Sequence, residues 1–149
     1  MSQSFKSHVT FPVFGSKSGT TRTGVELEST YQTDEAVEAV KSFKTAGFTH
    51  FNLDVLYTMG ATESSNSIEI KIESSPDGVN WYRLPTDTTS GATSTLAARE
   101  FTFVGTNAAA ATISIPLEIQ YKYMKVSAKE TGVASNKGTI YGEVTLSGK

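Results

Sequence analysis

The sequence predicts an all-β protein: an antiparallel β-sandwich, with the jelly roll among its candidate windings, and an extended N-terminal arm. Three observations predict it. Segments that alternate apolar and polar residues with a period of two recur along the chain, as in Ile68, Ile70 and Ile72 against Glu69, Lys71 and Glu73. Clusters of Gly, Pro, Asn, Asp and Ser punctuate these segments. Residues that favour helix are scarce outside one short segment, whereas β-branched and aromatic residues are plentiful.

Taken in order, Met1 to Thr33 reads as an extended arm or edge strand ahead of a single sandwich domain at 34–149. Val9 to Phe14 suits a strand that Pro12 confines to an edge, because proline has no N–H for a second ladder. Gly15 to Gly24 is rich in Ser, Thr and Gly and has no apolar face, so it is either a loose loop or an arm that orders against a neighbour. Asp34 to Phe43 fits a helical turn capped by Thr33 or Asp34, or a strand; its strand neighbours tip it to strand. Phe48 to Met59 is the longest strand candidate, with Phe51, Leu53, Val55 and Tyr57 on one face. Ile68 to Leu84 is a hairpin, turned by Ser74-Ser75-Pro76-Asp77-Gly78, where Pro fixes φ and Asp-Gly tolerates φ > 0. Pro85 to Ala98 reads as a long Thr, Ser and Ala loop, and loops of that length serve function or move. Strands follow at Arg99 to Val104, Thr112 to Ile119, Tyr121 to Ala128 and Thr139 to Leu146. Pro116 suggests an edge or bulge, Glu130 to Gly138 a turn-rich link, and Gly142 a bulge or close approach.

Composition narrows the function. At 149 residues the chain is long enough for one real core, and 38% hydrophobic with 19% charged residues describes a globular, polar-surfaced domain. A net charge of −2 without a basic block argues against nucleic-acid binding. No cysteine means no disulfide framework and no thiolate site. No apolar signal core and no membrane-length apolar run are present, so a soluble, unprocessed chain without a membrane partner is expected.

No catalytic constellation stands out, and no metal or cofactor is expected. His8 and His50 are not at metal-ligand spacing, and His50 and Asp54 read as an exposed polar pair on the outer face of one strand. Asp77 resembles a lone calcium ligand, yet its hairpin turn explains it. P-loop, Rossmann and G-x-S-x-G patterns are missing. Trp81 and Tyr82 fall on opposite faces, so at most one points inward. Tyr121 and Tyr123 share the face opposite Met124 and Val126, which makes them either a platform for sugars or partners or the lining of a covered face.

The run Ser75-Pro76-Asp77-Gly78-Val79-Asn80-Trp81 resembles the S-x-D-G-x-x-W hairpins of discoidin-like sandwiches. Together with Phe51 to Tyr57, Tyr123 to Val126 and the ending Gly138 to Gly148, it is similar to head decoration (cement) proteins of tailed bacteriophages. That resemblance implies a non-enzymatic virion protein made in the bacterial cytoplasm. It also implies a homotrimer on the outer surface of the head, bound to the major capsid protein lattice. The arm Ser2 to Thr23 would supply contacts through Phe5, His8, Phe11, Phe14, Lys17 and Arg22, the loop Thr86 to Ala97 through Thr88 and Thr89, and the hairpin through Trp81 and Tyr82. Deleting Met1 to Thr23 would then weaken shell binding and spare the fold. The competing expectation is a carbohydrate-binding module that presents Trp81, Tyr82, Tyr121 or Tyr123.

Overall fold

The computed structural model describes residues 8–83, 85–90, 93–98, 100–104 and 110–148; between 84 and 110 the description is of strand pairing alone. Among these residues fourteen strands and no helix form: β1 His8–Phe14, β2 Ser16–Ser18, β3 Thr21–Thr23, β4 Val25–Glu26, β5 Val40–Lys44, β6 His50–Thr58, β7 Ser67–Ser75, β8 Tyr82–Arg83, β9 Pro85–Ser90, β10 Thr93–Ala98, β11 Glu100–Val104, β12 Ala110–Glu118, β13 Tyr123–Thr131 and β14 Thr139–Ser147. One sheet has the order β1-β14-β6-β12, with β4 beside β14; the other has the order β11-β7-β13-β5, with β8 beside β7. Every pairing is antiparallel.

The pairings nest. β1 lies against β14, β5 against β13, β6 against β12, and β7 against β8 and β11. A chain folded once at its middle into a long hairpin, then rolled into two sheets, gives this order, which is the winding of a jelly roll. The turn between β7 and β8 is the middle of that hairpin. There Gly78 sits at φ +77. Asp77 Oδ1 accepts the N–H of Val79 and of Asn80, each at 2.8 Å, and Ser75 Oγ accepts the N–H of Gly78 at 2.8 Å. The turn is closed by its own side chains, so no bound cation is needed to account for Asp77.

Alternation sets the core. Phe51, Leu53, Val55 and Tyr57 of β6, Ile68, Ile70 and Ile72 of β7, Met124, Val126 and Ala128 of β13, and Ile140, Val144 and Leu146 of β14 are buried in one cluster between the sheets. Phe43 of β5 stacks on Phe51 of β6 with ring centroids 6.2 Å apart and meets Phe11 of β1 edge-on at 5.2 Å. These contacts tie the two sheets together. The position Gly142 on β14 points inward, where an added Cβ would stand 2.7 Å from Phe14 Cδ2. The close approach expected there is real, and the register between β1 and β14 shifts between Pro12 and Phe14, opposite it.

Several expectations change. Of the two readings of the N-terminal stretch, the edge strand describes His8–Phe14, which pairs with β14 and ends the first sheet. Val13, Phe14 and Leu27 belong to the core, so deleting Met1 to Thr23 would remove a sheet strand and the Phe14 ring with it. Asp34 to Phe43 is not strand throughout. The Asp34 carboxylate accepts the Ala36 N–H at 3.0 Å and its carbonyl accepts the Glu38 N–H at 3.1 Å, a capped helical turn; the strand starts at Val40. Pro85 to Ala98 is not a loop but a two-stranded ribbon, β9 on β10, because its threonines favour extended backbone. β13 runs on to Thr131, which takes Glu130 out of the expected link and into the core.

Candidate functional site

The residues expected to meet partners do not form one site. Phe5 lies outside the described residues. Phe14 is 0% exposed beneath Gly142 and so is a packing residue, and Phe11 is half-buried against Phe43. Their apolar rings fill the seam where β1 joins the core. His8 is exposed, at the start of β1. Thr88 and Thr89 lie on β9.

Lys17 and Arg22 come together on a ribbon of their own, β2 on β3, in which they are direct cross-strand partners. Lys17 Nζ pairs with Glu143 Oε1 at 2.9 Å, and the Arg22 guanidinium lies 5.6 Å from the centre of the Tyr141 ring. Tyr141 donates to Glu143 at 2.7 Å. Burial first, and then that hydrogen bond, pushes the Tyr141 phenol up to about 12; Lys17 first, and then Tyr141, holds the Glu143 carboxylate below its ordinary value. The ribbon is thus fastened to one face of the first sheet beside a groove lined by Asp54, Leu56, Thr112 and Ser114. Asp54 and Glu143 are cross-strand partners there, but Glu143 is already engaged by Lys17 and Tyr141.

Trp81 is half-buried over the second sheet and Tyr82 is 55% exposed on the other side of the strand, as the alternation requires. The Lys125 ammonium lies 4.5 Å from the Trp81 ring centre, and the Lys71 ammonium lies 4.5 Å from that of Tyr31. Lys125 and Lys71 also reach Glu73 Oε2, at 3.4 and 3.5 Å. Trp81 and Tyr31 therefore wall a groove of about 300 Å³ whose floor includes Lys71, Lys125, Ser42 and Ser127. Tyr31 was not anticipated; the signal was a lone aromatic in an otherwise polar stretch. Tyr123 packs over the Gly78 turn, and Tyr121 is exposed.

A second feature escaped the sequence reading. Glu130 is 0% exposed and gathers three donors: Tyr57 Oη at 2.5 Å, the Gly138 N–H at 2.7 Å and Asn66 Nδ2 at 3.2 Å. Nearby, Glu63 accepts the N–H groups of Ala134, Ser135 and Asn136 at 2.8 to 3.0 Å, which pulls its carboxyl down to about 2. Both carboxylates fasten loops at one end of the sandwich. Parity held the clue to Glu130, which follows Met124, Val126 and Ala128 at the same spacing. No group of three or more His, Cys, Asp or Glu that could hold a metal occurs among the described residues.

The last unit is the β9–β10 ribbon. Its twelve strand residues contain one charge, Asp87, and it pairs with no other strand among the described residues. Arg83 of β8 lies opposite Glu73, and Glu100 of β11 opposite Lys71. One ladder position, facing Ile72, separates them, yet sixteen residues of chain intervene. β8 and β11 are thus two halves of one edge strand, and the ribbon is an excursion out of it.

No family model matches the chain, and no curated protein matches it. Among solved structures, a crystal structure of tripeptidyl peptidase 2 matches 98% of this chain at a TM-score of 0.50 and 6% identity; the chain spans 10% of that protein's length. That likeness is one of fold alone. A chain from Bacillus endospore appendages, described as disulfide-linked pili, matches at a TM-score of 0.38 and 12% identity, covering 99% of this chain and 93% of that one, a level that carries no argument.

Proposed function

We propose that this chain is a non-enzymatic structural protein of a virion, a decoration protein that binds the outside of an assembled phage head and stabilises contacts between capsomers. The observation that carries the reading is the pair of β-ribbons, β2–β3 and β9–β10, which stand apart from the ladders of a two-sheet body. A hydrophobic core supplies rigidity, the β9–β10 ribbon leaves it and supplies reach onto a neighbouring surface, and the β2–β3 ribbon, held to the first sheet by Lys17 and Glu143, supplies a fixed contact face. The sequence resemblance to cement proteins points the same way, and the bacterial cytoplasm is the proposed place of synthesis. Co-sedimentation of the purified chain with assembled heads tests the proposal, together with antibody labelling of intact particles. Saturable binding at a fixed ratio to capsomers is expected. Labelling that needs disrupted particles, or no co-sedimentation, counts against it.

A specific observation favours a second reading, a carbohydrate-binding module: the groove between Trp81 and Tyr31 has aromatic walls and a polar floor. A glycan array read with the native chain and with Trp81→Ala decides it. Binding that disappears in the variant supports a sugar site, and an array silent with the native chain removes it.

A further inference from the structure

We infer that the β9–β10 ribbon is a self-association arm, pairing through the edge of β10 that no described strand occupies with the same strand of a second copy of this chain, a two-fold contact in place of the three-fold one that the resemblance implies. The inference rests on the proposal that the ribbon makes contacts, and it names the partner. A two-stranded ribbon alone is marginal in water, whereas three or more strands hold. Two ribbons joined edge to edge make four, in the order β9-β10-β10-β9.

Charge selects the occupant. Open strand edges attract other strands unless charge or proline blunts them. The outer strands of the two sheets carry such guards: Pro12 on β1, Pro116 on β12, Lys41 and Lys44 on β5, and Glu100 at the start of β11. The β2–β3 ribbon carries Lys17 and Arg22. β10, with the sequence Thr93 to Ala98, carries no charge and no proline. Antiparallel pairing of β10 with itself, centred on Thr95, sets Ser94 against Leu96 and Thr93 against Ala97. No like charges meet, and the Asp87 strands fall on the outside of the four. A charged partner strand would find nothing complementary on this edge; an identical one finds nothing repulsive.

Three variants test the arm by sedimentation over a wide concentration range. Joining Leu84 to Glu100, with residues 85–99 removed, keeps one residue opposite Ile72 and so preserves the register of β11 against β7. This variant and Thr95→Lys are expected to weaken self-association by roughly tenfold or more while the circular dichroism of the body is unchanged. Thr95→Cys, in a chain with no other cysteine, is expected to form a covalent dimer under mild oxidation, because facing residues at the centre of an antiparallel pair come within disulfide reach. A native chain that stays monomeric throughout overturns the inference. So does self-association that survives in both Thr95→Lys and the excised chain. Binding to heads is scored separately. Heads that bind a chain monomeric in solution leave the decoration reading standing and sink this one; self-association without binding to any head does the reverse.

Discussion

Replacing Glu130 with alanine should be among the most damaging single changes in this protein. The carboxylate is fully buried and is the acceptor for the Tyr57 hydroxyl, the Gly138 N–H and the Asn66 amide, so the change orphans three donors at once. An unsatisfied buried donor costs about 1–3 kcal/mol, and removing one member of a buried charged network typically costs about 3–5 kcal/mol in total. The larger figure is the guide, because three donors rather than one lose their acceptor and Asn66 is itself buried. A chain of this size loses about 2–4 °C of Tm per kcal/mol, so a fall of roughly 6–20 °C is expected. Tyr57→Phe leaves Glu130 two of its donors and should cost less, about 1–2 kcal/mol. Urea denaturation followed by circular dichroism measures both. The reasoning fails if Glu130→Ala costs under about 1 kcal/mol, or if Tyr57→Phe costs as much as Glu130→Ala, since the acceptor could not then be the hub.

Acid should act through Glu63. Its carboxyl is held at about 2 against an ordinary 4.5, chiefly by the Ala134, Asn136 and Ser135 N–H groups, so the stability it contributes is present above 4.5 and lost as pH falls towards 2; Glu63→Gln should flatten the acid limb of a stability–pH curve measured between those values. Alkali should act through Tyr141, whose phenol is raised from 10.0 to about 12, so its contribution is complete below 10 and declines as pH rises towards 12; Tyr141→Phe should flatten that limb, and an unchanged slope would refute the assignment. Gly142→Ala should destabilise by about 1–3 kcal/mol through its clash with Phe14, and the penalty should shrink when Phe14→Leu is added, a coupling that a double-mutant cycle reads directly.

Strands with strict alternation were legible in the sequence. In β6 and β14 each inward position is apolar or glycine, and in β7 the same holds from Ile68 to Ile72 before Ser74 breaks it, so faces and register follow from counting by two. Legibility failed where parity and chemistry disagree. Glu130 continues the inward set of β13, yet a glutamate before Thr131-Gly132 suggests a turn; what reverses that reading is a donor set drawn from β6 and from Asn66, both distant in sequence, and from Gly138, eight residues on. Phe14 lies two residues after Pro12 and just before Gly15, so locally it looks like an arm, and the space left by Gly142 on a strand far along the chain is what claims it. The β9–β10 ribbon was hidden because its alternation is between small residues of similar polarity, which period-two counting does not resolve. The Tyr31 and Trp81 groove was half-visible: Trp81 stood out, but which residue would wall the other side depends on where the link before β5 crosses.

The place where the β9–β10 ribbon leaves the body has a physical reason. In the nested winding the strand made of β8 and β11 has one neighbour, β7. An insertion there interrupts one ladder at one position, opposite Ile72. The same insertion in β6, which pairs with both β14 and β12, would break two ladders and open the core on either side. The β2–β3 ribbon follows the same logic, since it succeeds β1, the outer strand of the first sheet. Closing an excursion of sixteen residues costs only a few kcal/mol of chain entropy, and that cost grows slowly with length. A sandwich of this kind can therefore lengthen, shorten or rewrite its contact ribbon with little effect on its core. The excised chain should fold as stably as the native one, or more so, whatever its partners prove to be. A large loss of stability in that variant would mean that the ribbon braces the body and that the division into body and arm is wrong.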